Sequence, residues 1–256
     1  MRILKAIVDF YIQASLHVAL AIYSLVRITE LSLQLTPEFP IANVVFFGTI
    51  VGYNFLKYFE SFQQGNFDIN KNRYLVGLTF LSLIASIFYF LQLNNATQIY
   101  FIKIGLIVAI YPFLRKFGFW KLFLVSFCVT AITAYVPIIS HVSISDDIKI
   151  VIMQRFLIVI SLMIPFEILD SQTDDNLMKT LPQRFGIFKT KVFGIVLLFP
   201  FVLLELFKEK IEISSFIIAL VTAVFIGFTT LKRDNYYTSF WVESVPILWC
   251  FVLIYT

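Results

Sequence analysis

The sequence predicts an all-α, polytopic membrane protein whose single domain, residues 1–256, carries nine transmembrane helices. Three observations predict it. The chain is 59% hydrophobic and 14% charged, with a mean hydropathy of +0.88, whereas soluble domains carry about 25% charged residues. Apolar runs approaching the ~20 residues of a spanning helix recur along its length. Lysine and arginine collect in alternate connections between those runs, the pattern of the positive-inside rule.

The first predicted span is Ile7–Val26. Arg2 and Lys5 precede it, but Asp9 interrupts what would be the apolar core of a signal peptide, and no small-residue cleavage site comes after it. It reads as a retained helix. Further spans are expected at Ile41–Phe62, Tyr74–Leu93, Ile99–Leu114, Trp120–Ser140, Ile150–Leu169, Val192–Phe207, Ile213–Leu231 and Phe240–Tyr255. The third is the purest in apolar residues; the fourth and seventh are short. In the sixth, Pro165 removes a backbone hydrogen bond and should bend the helix just before Glu167. Only the connections 63–73 and 170–191 are of any length, and no separate soluble domain or internal repeat is visible. Cys128 and Cys250 lie in separate apolar runs without a CxxC pattern, which predicts two buried thiols and no disulfide or zinc framework.

With nine spans the connections alternate sides. The side of the N-terminus holds thirteen cations: Arg2, Lys5, Lys71, Arg73, Arg115, Lys116, Lys121, Lys179, Arg184, Lys189, Lys191, Lys232 and Arg233. The other side holds four: Arg27, Lys149, Lys208 and Lys210. That asymmetry predicts a cytoplasmic N-terminus, an outside C-terminus and a multi-pass protein of the cell (inner) membrane. It also gathers Asn54 to Glu60, Tyr111 to Lys116, Glu167 to Lys179 and Lys232 to Asp234 at the cytoplasmic face.

A charge at mid-span costs about 2.5–3.5 kcal/mol on insertion scales and is a functional candidate by default. Lys57, Glu60, Lys103, Arg155, Glu167, Asp170 and Glu243 qualify. Lys103 and Arg155 lie near outer ends and are expected to snorkel. Glu243 is either a partner of Lys232 or Arg233 or a functional group, and His17 is expected to bond to a neighbouring helix. Glu167, Asp170 and Asp174 stand at i, i+3 and i+7 and share one helical face. At about 5–6 Å two such carboxylates repel by about 3 kcal/mol at an effective dielectric of ~20, which a cation would offset. The competing reading is a solvated acidic helix end.

The run Glu167-x-x-Asp170-x-x-x-Asp174 followed by Lys179-Thr180-Leu181-Pro182 resembles the second aspartate-rich motif of the UbiA superfamily of intramembrane prenyltransferases. Its place at the end of the sixth of nine spans is also the family's. Tyr111-Pro-Phe-Leu-Arg-Lys116 is similar to the family's Y-P-x-x-K-R segment. The first motif departs. Where the family usually has N-D-x-x-D-x-x-x-D, this chain keeps Asn54 but has Phe55, Tyr58 and Phe62 at the aspartate positions. Glu60 is out of register, about 120° around the helix from Asn54.

The resemblance implies a helical bundle around a cytoplasm-facing cavity. It implies transfer of an isoprenoid from a prenyl diphosphate to a small, often aromatic acceptor in quinone or related lipid synthesis. On the family's pattern Asn54, Lys57, Asp170 and Asp174 would be catalytic. Glu167, Asp170 and Asp174 would hold Mg2+, and Arg115, Lys116, Lys179 and Thr180 would bind the diphosphate. Lys57 has three readings: a fixed cation in place of the metal of the first motif, the remnant of a site that now only binds a lipid or partner, or an ordinary i,i+3 partner of Glu60. A catalytically impaired, binding-only membrane protein is therefore the alternative to an enzyme. Inverted repeats and paired broken helices, the marks of a transporter, are not visible, and no basic groove for nucleic acid is present.

Overall fold

A computed structural model describes residues 2–114, 118–139, 146–172 and 180–255. All regular structure among the described residues is helical. The α-helices are α1 (Arg2–Gln13), α2 (Leu16–Ser32), α3 (Phe39–Gln63), α4 (Arg73–Phe90), α5 (Asn95–Leu114), α6 (Trp120–Thr130), α7 (Asp146–Asp170), α8 (Leu181–Phe185), α9 (Ile187–Glu205), α10 (Ile213–Phe228) and α11 (Val245–Tyr255). A π-helical turn, Ala131–Tyr135, and a 3-10 turn, Val136–Ile138, extend α6; a second π-helical segment, Tyr237–Val242, precedes α11. Among the described residues seven helices are long and apolar enough to cross a bilayer, and a bent pair formed by Lys5–Gln13 and Leu16–Ser32 counts as an eighth if taken as one span. The chain is an all-helical, multi-pass membrane protein.

The first predicted span is not one rod. It breaks at Ala14 and Ser15, and the two halves meet at 60°. No glycine or proline marks the place; Ser15 itself takes a left-handed backbone, φ 61°. The break frees carbonyls at the end of α1, and an unsatisfied backbone group within a bilayer costs several kcal/mol. α3 supplies the partners. Lys57 Nζ lies 3.4 Å from both the Ile12 and Gln13 oxygens, and the Tyr58 hydroxyl donates to the Gln13 oxygen at 3.1 Å. Asn54 Nδ2 donates to the Ala14 oxygen at 3.4 Å, and its Oδ1 accepts from Ser15 Oγ at 2.6 Å. By contrast α7 continues as helix through Pro165. α10 has 16 residues, about 24 Å of rise against ~30 Å of hydrocarbon.

α7 and the helix running from Trp120 to Ile138 are central, with 56% of their apolar windows buried; α4 and the α5 window are peripheral at 11%. α4 buries only Leu75 and Ser82 and presents Phe80, Leu81, Ile84 and Phe88 to the surroundings. α2 packs against α3, α11 and the first π turn, and α7 against α6, α9 and α10. At the α7–α9 crossing, Gly194 permits close approach: a Cβ there would lie 2.8 Å from Ile164 Cγ1. Ser161 Oγ, which also bonds its own helix, donates to the Gly194 oxygen at 3.1 Å.

The end of the bundle opposite the α3 and α7 termini holds buried charges. Arg155 does not snorkel. It is 1% exposed, donates to the Leu25 oxygen and to Thr29 Oγ1, and lies over the Trp249 ring. The polar side of α2 and the π turn at Thr133 supply partners inside the bundle, so the guanidinium has no need to reach the interface. Lys208 bridges Glu205 at 3.2 Å and Glu212 at 3.3 Å, with Gln154 and Ser32 bonded to the same carboxylates. Arg27 pairs with the buried Glu30. Lys103 does lean along its helix toward Tyr100, 5.4 Å from the ring centre.

Candidate functional site

Two helices carry the candidate residues, and the structure gives their members unequal roles. On α3, Asn54 is 3% exposed and fully engaged, since Nδ2 also donates to Thr79 Oγ1 at 2.8 Å. Its amide holds the α1–α2 break together and is not presented to a ligand. Lys57 is exposed, and its ammonium faces the α1 carbonyls instead of forming the i,i+3 ion pair with Glu60.

At the end of α7, Glu167 is 2% exposed and its Oε1 lies 3.2 Å from Lys121 Nζ at the start of α6. This ion pair ties α7 to α6. Asp170, one turn on, is exposed. Among the described residues no group of three or more His, Cys, Asp or Glu could hold a metal. Asp174 and Lys179 of the same motif, and Arg115 and Lys116 of the other segment, lie outside the described residues. Thr180 is completely buried at the start of α8, where its backbone N–H donates to Gln183 Oε1 at 3.0 Å. It caps α8 in a capping box with Gln183.

The Tyr53 phenol, one residue before Asn54, is within electrostatic range of Asp170 on α7, Tyr111 on α5 and Glu243 before α11. Lys57 and Tyr11 are also within range of Glu243. Tyr53 is still 37% exposed. Glu243 is within electrostatic range of Lys57, and Arg233 lies instead over the Tyr237 ring, 5.0 Å away.

The π-helical segment sets that orientation. The Glu243 N–H bonds to the Thr238 oxygen, five residues back, at 3.1 Å, so one extra residue rotates the helix beyond it, a distortion frequent at functional sites. His17 fixes the wall beside it. Its Nε2 meets the Phe240 oxygen at 2.9 Å and Ser244 Oγ at 3.1 Å, its Nδ1 meets the Tyr11 hydroxyl at 3.0 Å, and its ring stacks on Phe240 at 4.8 Å. His17 thus bonds to a neighbouring helix as expected. The proximity of Glu243 to Lys57 was open to sequence reasoning, since they are opposite charges in separate spans. Tyr53 carried no such signal.

Compared with family models, with curated proteins and with solved structures, the chain matches none.

Proposed function

We propose that the protein is an intramembrane prenyltransferase of the UbiA type, moving an isoprenoid chain from a prenyl diphosphate to a small aromatic acceptor. The observation that carries this reading is the acidic run Glu167-x-x-Asp170-x-x-x-Asp174 with Lys179-Thr180-Leu181-Pro182 after it, which falls at the end of the long apolar helix α7, where Asp170 is exposed. In this reading the chain has nine spans, with the bent α1–α2 pair as the first and α10 as the eighth. The N-terminus is cytoplasmic, the C-terminus outside, and the cavity opens to the cytoplasm from the cell (inner) membrane.

The chemistry asks for two things. Negative charge builds on the departing diphosphate and must be neutralised by fixed cations in place before reaction, and the allylic carbon must be kept from water. Magnesium, when bound, would neutralise diphosphate oxygens there. Asp170, with Asp174 after it in the sequence, would hold that cation, and Lys57 would supply a fixed positive charge. The surrounding helices keep the prenyl chain dry.

A second reading has its own support. Asn54, Lys57 and Tyr58 all bond to the broken end of α1 or to Ser15, which suits a protein that only binds a lipid or partner. Diphosphate release by the purified protein in nanodiscs, with magnesium and a panel of prenyl diphosphates and hydroxyaromatic acceptors, separates the two. The transferase reading expects release that falls at least tenfold in Asp170→Asn. A wild type silent across the panel establishes the binding-only reading.

A further inference from the structure

α1 and α2 together are too long to cross a bilayer as one rod. Residues 2–32 in a continuous helix would reach about 46 Å, against about 30 Å of hydrocarbon. α2 alone, with 17 residues, accounts for about 25 Å. Because the two halves meet at 60°, α1, with 12 residues and about 18 Å of length, adds only about 9 Å along the direction of α2. α1 therefore falls at the hydrocarbon border and in the headgroup layer beyond it. The bend is held in place. Lys57, Tyr58 and Asn54 engage the oxygens of Ile12, Gln13 and Ala14, and Tyr11 bonds to His17.

Around α1 the side chains divide into three sectors. At about 100° per residue, Lys5, Asp9 and Gln13 fall within about 80° of one another; Lys5 and Gln13 are exposed and Asp9 partly so. Val8, Tyr11 and Ile12 form a second, partly buried sector, where Tyr11 meets the His17 ring edge-on at 5.2 Å. Ile7 and Phe10 form the third. There the helix leaves large apolar side chains bare, 60% and 39% exposed. One flank suits water, one packs on the bundle, and one calls for an apolar medium.

We propose that α1 is an interfacial helix and that α2 alone makes the first crossing. α1 lies obliquely along the boundary between phospholipid headgroups and acyl chains, with Ile7 and Phe10 turned into the chains and Lys5, Asp9 and Gln13 toward water. Its partner is the phospholipid layer itself. A lysine-bearing polar flank opposite an aromatic and a branched aliphatic side chain is the composition by which such helices bind, their apolar face about 5–10 Å deep. Because Lys57 and Tyr58 bond to the last turn of α1, this seat in the lipid also fixes the depth at which the end of α3 stands.

The test places p-acetylphenylalanine, one position at a time, at Lys5, Ile7, Phe10 and Gln13 of the full chain and couples it to a ketone-reactive nitroxide, so that Cys128 and Cys250 stay in place. All four positions are exposed, so the labels displace no buried group. In nanodiscs of phosphatidylcholine and phosphatidylglycerol, power-saturation EPR reads access to oxygen, which concentrates among acyl chains, and to a water-soluble nickel chelate. The oxygen-to-chelate ratio is expected to be about fivefold or more higher at Ile7 and Phe10 than at Lys5 and Gln13, with both apolar positions about 5–10 Å deep. An upright α1 would carry Gln13 about 12 Å deeper than Lys5, so a chelate-shielded label at Gln13 beside an open one at Lys5 overturns the inference. Chelate access at Ile7 and Phe10 equal to that at Lys5 also overturns it, since α1 then stands in water. Low access to both reagents at Ile7 and Phe10 overturns it as well, because a protein neighbour, such as a second copy of this chain, then covers them.

Discussion

Replacing Asn54 with alanine tests whether α3 holds the α1–α2 break or serves chemistry. Asn54 accepts from Ser15 Oγ at 2.6 Å and donates to Thr79 Oγ1 at 2.8 Å and to the Ala14 oxygen at 3.4 Å. The three losses are unequal. Thr79 keeps its bond to the Leu75 oxygen at 2.8 Å, and the Ala14 contact is already long. Ser15 is 1% exposed and loses the acceptor of its hydroxyl. A buried orphan costs about 1–3 kcal/mol, and side-chain hydrogen bonds within membrane proteins average about 0.6 kcal/mol in double-mutant cycles. The expected loss for Asn54→Ala is therefore about 2 kcal/mol, most of it at Ser15. Unfolding of the detergent-solubilised protein by SDS titration reads it. A cycle with Ser15→Ala should give a coupling of about 1 kcal/mol, as for residues in direct contact. A loss below about 0.5 kcal/mol, the range of an uninvolved surface position, or strict additivity with Ser15→Ala, would refute the clamp and return Asn54 to the list of ligand-facing residues.

Two further perturbations arise from the packing. Gly194→Ala places a Cβ against Ile164 and Ile226 and should cost about 1–3 kcal/mol in the same SDS titration; Ile164→Ala should then be less damaging in the Gly194→Ala background than alone. Lys121→Met leaves the buried Glu167 carboxylate without its lysine at 3.2 Å and should cost about 3–5 kcal/mol; adding Glu167→Gln should recover most of that, whereas a metal-binding Glu167 would gain nothing from the second change.

Much of the helical frame is readable in the sequence, because apolar length and the lysine–arginine bias are strong signals in a bilayer. The break at Ala14 and Ser15 is not. Its apolar pattern runs on without glycine or proline, and the groups that stabilise it come from α3, some 40 positions away. The same distance hides the buried charges at the other end. Nothing in the spacing of Glu205, Lys208 and Glu212 shows that Gln154 and Ser32 bond to the same carboxylates. Arg155 misleads for a related reason: snorkelling is the default for a lone cation, and nothing local reveals the oxygens of Leu25 and Thr29 waiting across the interface. In the candidate site the acidic spacing at Glu167 and Asp170 is legible, but spacing cannot show that Lys121 already occupies one of the two. Tyr53 has no spacing to report; its significance is entirely a matter of what surrounds it.

α10 is short for its place in the bundle. It packs beside α9 and α11, while the peripheral α4, with 18 residues, stands elsewhere on the perimeter. In the nine-span arrangement proposed above, α10 at about 24 Å would fall about 6 Å below the hydrocarbon thickness, and mismatch costs fractions of a kcal/mol per Å. Lipid beside it would then compress, drawing the headgroups down toward residues 229–234 and their cations. In that arrangement the protein would act on its bilayer as a wedge, favouring shorter acyl chains along one side only.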